Sequence, residues 1–130
     1  MPSTTHYTGT ITDTELSRMQ SPEVVARLRE ILGTKLVAYI AGVTTTRAVL
    51  NWVSDSPIAP SDEKQWRLKN ALRIADYLRR NEGLATVQSW FMGMNTNLDD
   101  QAPAKLLRDG RDLAGDAARV FAAARSFEQA

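Results

Sequence analysis

Arg47 and Asn51 are polar residues with no evident core duty in an otherwise apolar stretch, and their side chains have the shapes that pair bidentately with guanine and adenine. Thr45 and Thr46 extend the same polar start, while Thr44 has the plainer role of a helix N-cap. The stretch that carries them, Thr34 to Trp52, divides into two short helical patterns at Gly42. Val37, Ala41 and Val43 supply apolar contacts, Ala38 is small enough to let two helices approach, and Gly42 falls where the first helix must end in a left-handed residue. This is the pattern of a helix-turn-helix, which offers base-contacting side chains at the start of its second helix. Taken singly, each polar residue is nearly as well explained by a solvated surface, and glycine-joined helix pairs also occur without any DNA role.

Other reactive constellations are sparse. Cysteine is absent, which excludes disulfides, a thiol nucleophile and thiolate metal sites, and the single His6 near the N-terminus is a poor basis for imidazole catalysis or zinc. Asp99 and Asp100 are adjacent in a polar segment, where carboxylates diverge, and no His, Cys or third ligand accompanies them. Gly110 and Gly115 lack the lysine and hydroxyl of a phosphate loop. The sequence therefore predicts no catalytic residue, no metal and no cofactor.

The net charge of +1 hides a gradient along the chain. Thr34 to Ser54 holds Lys35 and Arg47 with no acid, and Lys64 to Arg80 sets Lys64, Arg67, Lys69, Arg73, Arg79 and Arg80 against Asp76 alone. From Phe91 onward bases and acids nearly balance. Positive charge thus gathers where phosphate contacts are needed, with Lys35, Arg67 and Arg73 as the candidates, although charge runs are more often simply solvated helix faces.

These residues must be positioned by helices. At 130 residues the chain suits one compact domain with a real core. No apolar run approaches the ~20 residues needed to cross a bilayer, and no signal peptide is evident, so the expectation is a soluble cytoplasmic protein. Met1 to Thr12 reads as a flexible arm, followed by a short helix capped by Asp13. Ser21 as N-cap and Pro22 at the first helical position open a helix whose apolar face is Val24, Val25, Leu28, Ile31 and Leu32, ending at Gly33. After a loop from Ser54 to Pro60, Ser61 caps a long helix running to about Arg80. Its inward stripe is Leu68, Ala71, Leu72, Ala75 and Leu78, with Lys69, Arg73, Asp76 and Arg80 on a predominantly basic face. Leu84 to Met92, Pro103 to Gly110 and Asp112 to about Phe127 complete an all-α outline. Trp52 and Trp90 fit core positions.

The order of these elements resembles the Xre/MbcA/ParS family of small bacterial antitoxins, over roughly Thr34 to Val120. The first half of the resemblance rests on Gly42-Val43-Thr44, Arg47, Val49, Trp52, a proline-containing loop and Ile74-Ala75-Asp76-Tyr77-Leu78. The second and more specific half rests on Trp90-Phe91-Met92, Asn95, Leu98, Pro103, Leu106-Leu107, Asp109-Gly110 and Val120. The resemblance implies a compact helical bundle with an Xre-like helix-turn-helix and a C-terminal helical toxin-binding region. It divides the chain into an arm at residues 1–20, a DNA-binding region at 21–60 and a toxin-binding and dimerisation region at 61–130.

Implied with it is an antitoxin that represses its own operon and neutralises a RES-domain toxin, an NAD-degrading enzyme, by covering the toxin's active site. DNA contacts would come from Lys35, Thr45, Thr46, Arg47, Asn51, Arg67 and Arg73. Asn95, Leu98, Pro103, Leu106, Leu107 and Gly110 would meet the partner, joined by Phe121 and Phe127 on the Ala-rich last helix, which could also hold a homodimer. Pro103, Leu106, Leu107 and Gly110 would shape a turn-helix-turn segment whatever it binds. Two other readings stay open: a stand-alone transcriptional regulator, for example of phage origin, and an interaction adaptor that no longer binds DNA.

Overall fold

The long helix with the inward stripe organises everything else. The computed structural model describes residues 11–129, in which the elements are α1 (Asp13–Arg18), α2 (Ser21–Leu32), α3 (Thr34–Ala41), α4 (Thr46–Trp52), α5 (Asp62–Arg79), α6 (Leu84–Met92), a 3-10 turn (Thr96–Leu98), α7 (Pro103–Asp109) and α8 (Leu113–Gln129). Leu68, Ala71, Leu72, Ile74, Ala75 and Leu78 of α5 are all buried, because they recur at the helical period on a stripe that meets α2 on one side and α8 on the other. Around this spine α3 packs on α2, α4, α5 and α7, and α6 is inserted between α2 and α7. A continuous core results, from Leu16 of α1 through Val25, Leu28, Val37, Val49 and Phe91 to Val120 and Ala124 of α8. No helix among the described residues is long and apolar enough to cross a membrane.

Most helix ends follow local chemistry. Ser61 Oγ accepts the Lys64 N–H at 3.3 Å, with Asp62 and Glu63 in the positively polarised first turn of α5. Pro103 opens α7, and Gly33, at φ 85°, separates α2 from α3. Asp112 caps α8 by accepting the Gly115 N–H at 3.1 Å while its own N–H donates to Asp116 at 3.2 Å, and the helix runs on past Phe127 to Gln129.

Three local expectations are corrected. Thr12, not Asp13, caps α1: its hydroxyl accepts the Glu15 N–H at 3.1 Å, and the Glu15 carboxylate accepts the Thr12 N–H at 3.0 Å. That reciprocal pair holds Glu15 below the usual carboxylate range, the backbone bond being the larger cause. Ser21 is already helical, and Gln20 occupies the cap position without a side-chain bond, so Pro22 alone marks this start. Asp76 does not join the basic face. It is 2% exposed and its Oδ2 accepts the Ile11 N–H at 2.7 Å, pinning the chain ahead of α1 to the middle of the bundle. Met1 to Thr10, including His6 and most of the expected arm, lie outside the described residues.

Candidate nucleic-acid interface

The α3–α4 pair is built on one apolar side and left polar on the other. Val37, Ile40 and Ala41 of α3 are fully buried, and α3 stops at Gly42, which takes the left-handed conformation at φ 84° and ψ 23°. The N–H groups of Gly42 and Val43 both return to the Ala38 carbonyl at 3.1 Å, satisfying the helix end. A β-carbon at Gly42 would suffer the strain of that φ, with the Arg67 guanidinium 3.4 Å away. The helix that follows has only seven residues, too few to stand alone in water. Val49, fully buried, and Trp52, 7% exposed, anchor it in the core. Its N-cap position is Thr45 rather than Thr44, and neither side chain caps it. Thr46, Arg47, Leu50 and Asn51 are left facing solvent on the opposite side, with no acid anywhere on α3, the turn or α4.

Beside this face runs an open groove of about 450 Å³, lined by Lys35, Ala38, Tyr39, Val43, Thr44, Thr45, Thr46 and Arg108. Lys35, Thr45 and Thr46 are thereby brought together. Arg108 enters from α7, where its Nη1 donates to the Tyr39 carbonyl at 2.9 Å and its guanidinium lies 4.6 Å from the centre of the Tyr39 ring. Nothing local in the sequence marks Arg108, since the contact that places it spans 69 positions.

Arg67 and Arg73 are placed elsewhere. Arg67 is only 13% exposed, pairs with Glu63 at 2.6 Å and lies against Gly42, behind the turn, with its Nε buried and without a hydrogen-bond partner. It props the turn and does not present itself to solvent. Arg73 points to the seam where α1 and α8 meet α5: its Nε is 3.2 Å from Asp13, and its guanidinium is 4.4 Å from the centre of the Phe121 ring. Lys69 reaches the Ser17 carbonyl at 3.5 Å. Arg67, Lys69 and Arg73, neighbours in the charge count along α5, are therefore directed to different partners. Periodicity within α5 could not show this, because the partners of these side chains come from other helices.

Half of the eight residues expected to meet a partner are interior. Leu98, Pro103, Leu106 and Leu107 are buried, so most of their side-chain surface is occupied within the chain. Asn95 braces the loop between α6 and α7. Its Oδ1 accepts the Asn97 N–H at 2.9 Å, and its carbonyl accepts the Leu98 and Asp100 N–H groups, both at 2.9 Å. Asp99 and Asp100 follow at φ 56° and 66°, and Asp99 pairs with Arg119 at 3.2 Å. No group of acidic or histidine residues suited to a metal occurs among the described residues.

Gly110 is a close-packing position, where a β-carbon would collide with the Asp116 carboxylate and lie 2.6 Å from the Leu106 carbonyl oxygen. Phe121 is half-buried, edge-on to Tyr77 with ring centres 5.3 Å apart. Phe127 is 39% exposed, its ring 6.5 Å from that of Trp90.

The sequence missed Tyr39, Met92 and Met94 as surface features. Met92 is 59% exposed and Met94 84% exposed, and Tyr39 and Met92 border an apolar groove of about 310 Å³ with Lys35, Leu36, Ala102 and Ala104. Exposure of isolated methionines has no sequence signal, since Met serves equally in cores. Against protein-family models, curated proteins and solved structures, the chain matches none.

Proposed function

We propose that this chain is a DNA-binding repressor whose α4 enters the major groove, and that it serves as the antitoxin of a RES-domain, NAD-degrading toxin. The observation that carries the DNA reading is the acid-free outer face of α4. Arg47 and Asn51 stand exposed one helical turn apart there, on a helix fixed from behind by Val49 and Trp52. Arg47 can bind guanine O6 and N7 with two N–H groups, and Asn51 can bind adenine N6 and N7. A single such unit covers few base pairs, so the reading includes a homodimer on two half-sites about one helical turn apart. The exposed Phe127 end of α8 is a candidate contact for it.

The toxin partner rests on the family resemblance alone. The burial of Leu98, Pro103, Leu106 and Leu107 leaves room for a second reading, a stand-alone regulator, because those residues serve the fold whatever the chain binds.

The test is titration of the protein with the duplex upstream of its own gene and with a random duplex. Arg47→Ala and Asn51→Ala are each expected to lose about 1–3 kcal/mol on the specific duplex and to relax base preference. Arg67→Ala and Arg73→Ala should change affinity less, since Glu63 and Asp13 already engage those charges. Equal, salt-insensitive binding by all variants would reject DNA recognition. A pull-down with the product of the neighbouring gene decides between antitoxin and stand-alone regulator.

A further inference from the structure

We propose that α7 belongs to the DNA-facing surface, with Arg108 contacting a backbone phosphate held in the groove between α3, the turn and α7. The inference rests on the DNA reading above and adds to it a contact from the part of the chain that the sequence assigned to a protein partner. The groove is bordered by two cations, Lys35 and Arg108, and by the hydroxyls of Thr44, Thr45 and Thr46, and none of its lining residues is acidic. A phosphodiester takes this set well, since its two free oxygens accept charge-assisted bonds from guanidinium and ammonium and further bonds from hydroxyls.

Position supports the assignment. Thr46 lies both on the groove wall and at the first position of α4, so a strand whose bases face α4 carries its phosphates past the groove. Arg108 is also held for the task. Its Nη1 is fixed by the Tyr39 carbonyl, its plane lies over the Tyr39 ring and its Nε is 3.5 Å from Asp109, while Nη2 makes none of these contacts. Asp109 does not cancel the charge, because Lys105 binds the same carboxylate at 3.0 Å and leaves the three side chains with a net positive charge. Tyr39 is thus a positioning residue for Arg108, and its half-exposed ring closes the space behind the guanidinium.

The experiment measures duplex affinity as a function of salt for the intact chain and for Arg108→Gln, Arg108→Lys and Lys35→Gln, with circular dichroism melting of each. Each phosphate neutralised contributes about −0.9 to the slope of log affinity against log salt. Arg108→Gln and Lys35→Gln are therefore each expected to make that slope shallower by about one and to weaken specific and random duplexes alike, while Arg108→Lys keeps the slope. A merely structural Arg108 would lower the melting temperature and leave the slope alone. An unchanged slope in Arg108→Gln, with Arg47→Ala still relaxing base preference, overturns this inference and spares the DNA reading. Failure of the unmodified protein to bind any duplex at low salt overturns both. Should Arg108→Gln not fold, Lys35→Gln decides: its side chain is exposed, and an unchanged slope there removes the phosphate from the groove.

Discussion

Residue type and spacing single out the α3–α4 pair and the family resemblance singles out the segment from Asn95 to Gly110, yet the fold treats them oppositely. In the first, the polar residues of interest, Thr45, Thr46, Arg47 and Asn51, remain on the surface. In the second, the apolar residues of interest, Leu98, Pro103, Leu106 and Leu107, are consumed by the core. A motif written in apolar residues identifies an architecture, because apolar spacing is what determines packing. A motif written in polar residues on a helix's outer face identifies a surface, because burial would leave those groups without water or partners. Resemblance in the second segment therefore speaks to how α6, α7 and α8 are assembled more than to what touches them.

The largest expected effect tests that contrast directly. Leu98→Ala and Leu107→Ala should each destabilise the protein by about 2–5 kcal/mol through lost burial and a residual cavity, measured by urea unfolding. Any loss of partner binding in these variants should follow the loss of fold. A variant that binds no partner yet unfolds at the original urea concentration would break the distinction and return these residues to an interface.

A smaller effect sharpens the polar side of the comparison. Gly42→Ala places a β-carbon at φ 84°, which costs about 1–2 kcal/mol for an L-residue. Because this strain sits at the end of α3, it should lower the melting temperature and also weaken DNA binding by misplacing α4, whereas Arg47→Ala should weaken DNA binding with melting unchanged. A Gly42→Ala protein as stable as its parent would mean that the turn relaxes freely.

Legibility in the sequence followed the range of the interactions involved. Ser61, Gly33, Gly42 and Pro103 were readable because each acts on backbone groups within a turn of itself. Thr12 and Asp13 were confused because both side chains can cap, and only the reciprocal bond with Glu15 separates them. The stripe on α5 was legible through periodicity, but Asp76 was misplaced on the basic face. Nothing in its own helix announces that the Ile11 amide, 65 positions away, will meet it. Arg108 is invisible for the same reason, and so are the partners of Arg67 and Arg73: Glu63 and the buried setting hold Arg67, while Arg73 stays partly exposed beside Asp13 and Phe121.

The smallest effect expected concerns Asp76. Burial raises its carboxyl above the ordinary value, a rise opposed by the Ile11 bond and then by the charges of Arg79, Arg27 and Arg80. A raised value means that the folded state holds the proton more tightly than the unfolded chain. This contribution to stability is therefore fully present below the ordinary carboxylate value and is lost as pH rises through the raised one. Asp76→Asn, which keeps an oxygen to accept the Ile11 N–H, should lack that decline. Melting temperatures of both proteins across the acid range check it, and parallel curves would show that the ionisation is not felt.

The bond between the Ile11 amide and Asp76 also has a meaning in time. It closes a loop of 65 positions, so the entropy of closure weighs against forming it early. Contacts that form after the folding transition state govern how fast a native protein comes apart while hardly affecting how fast it assembles. If the Ile11–Asp76 bond belongs to that class it is a kinetic clasp, and Asp76→Ala is expected to shorten the lifetime of the folded bundle while leaving its refolding rate nearly untouched, which stopped-flow unfolding and refolding would measure.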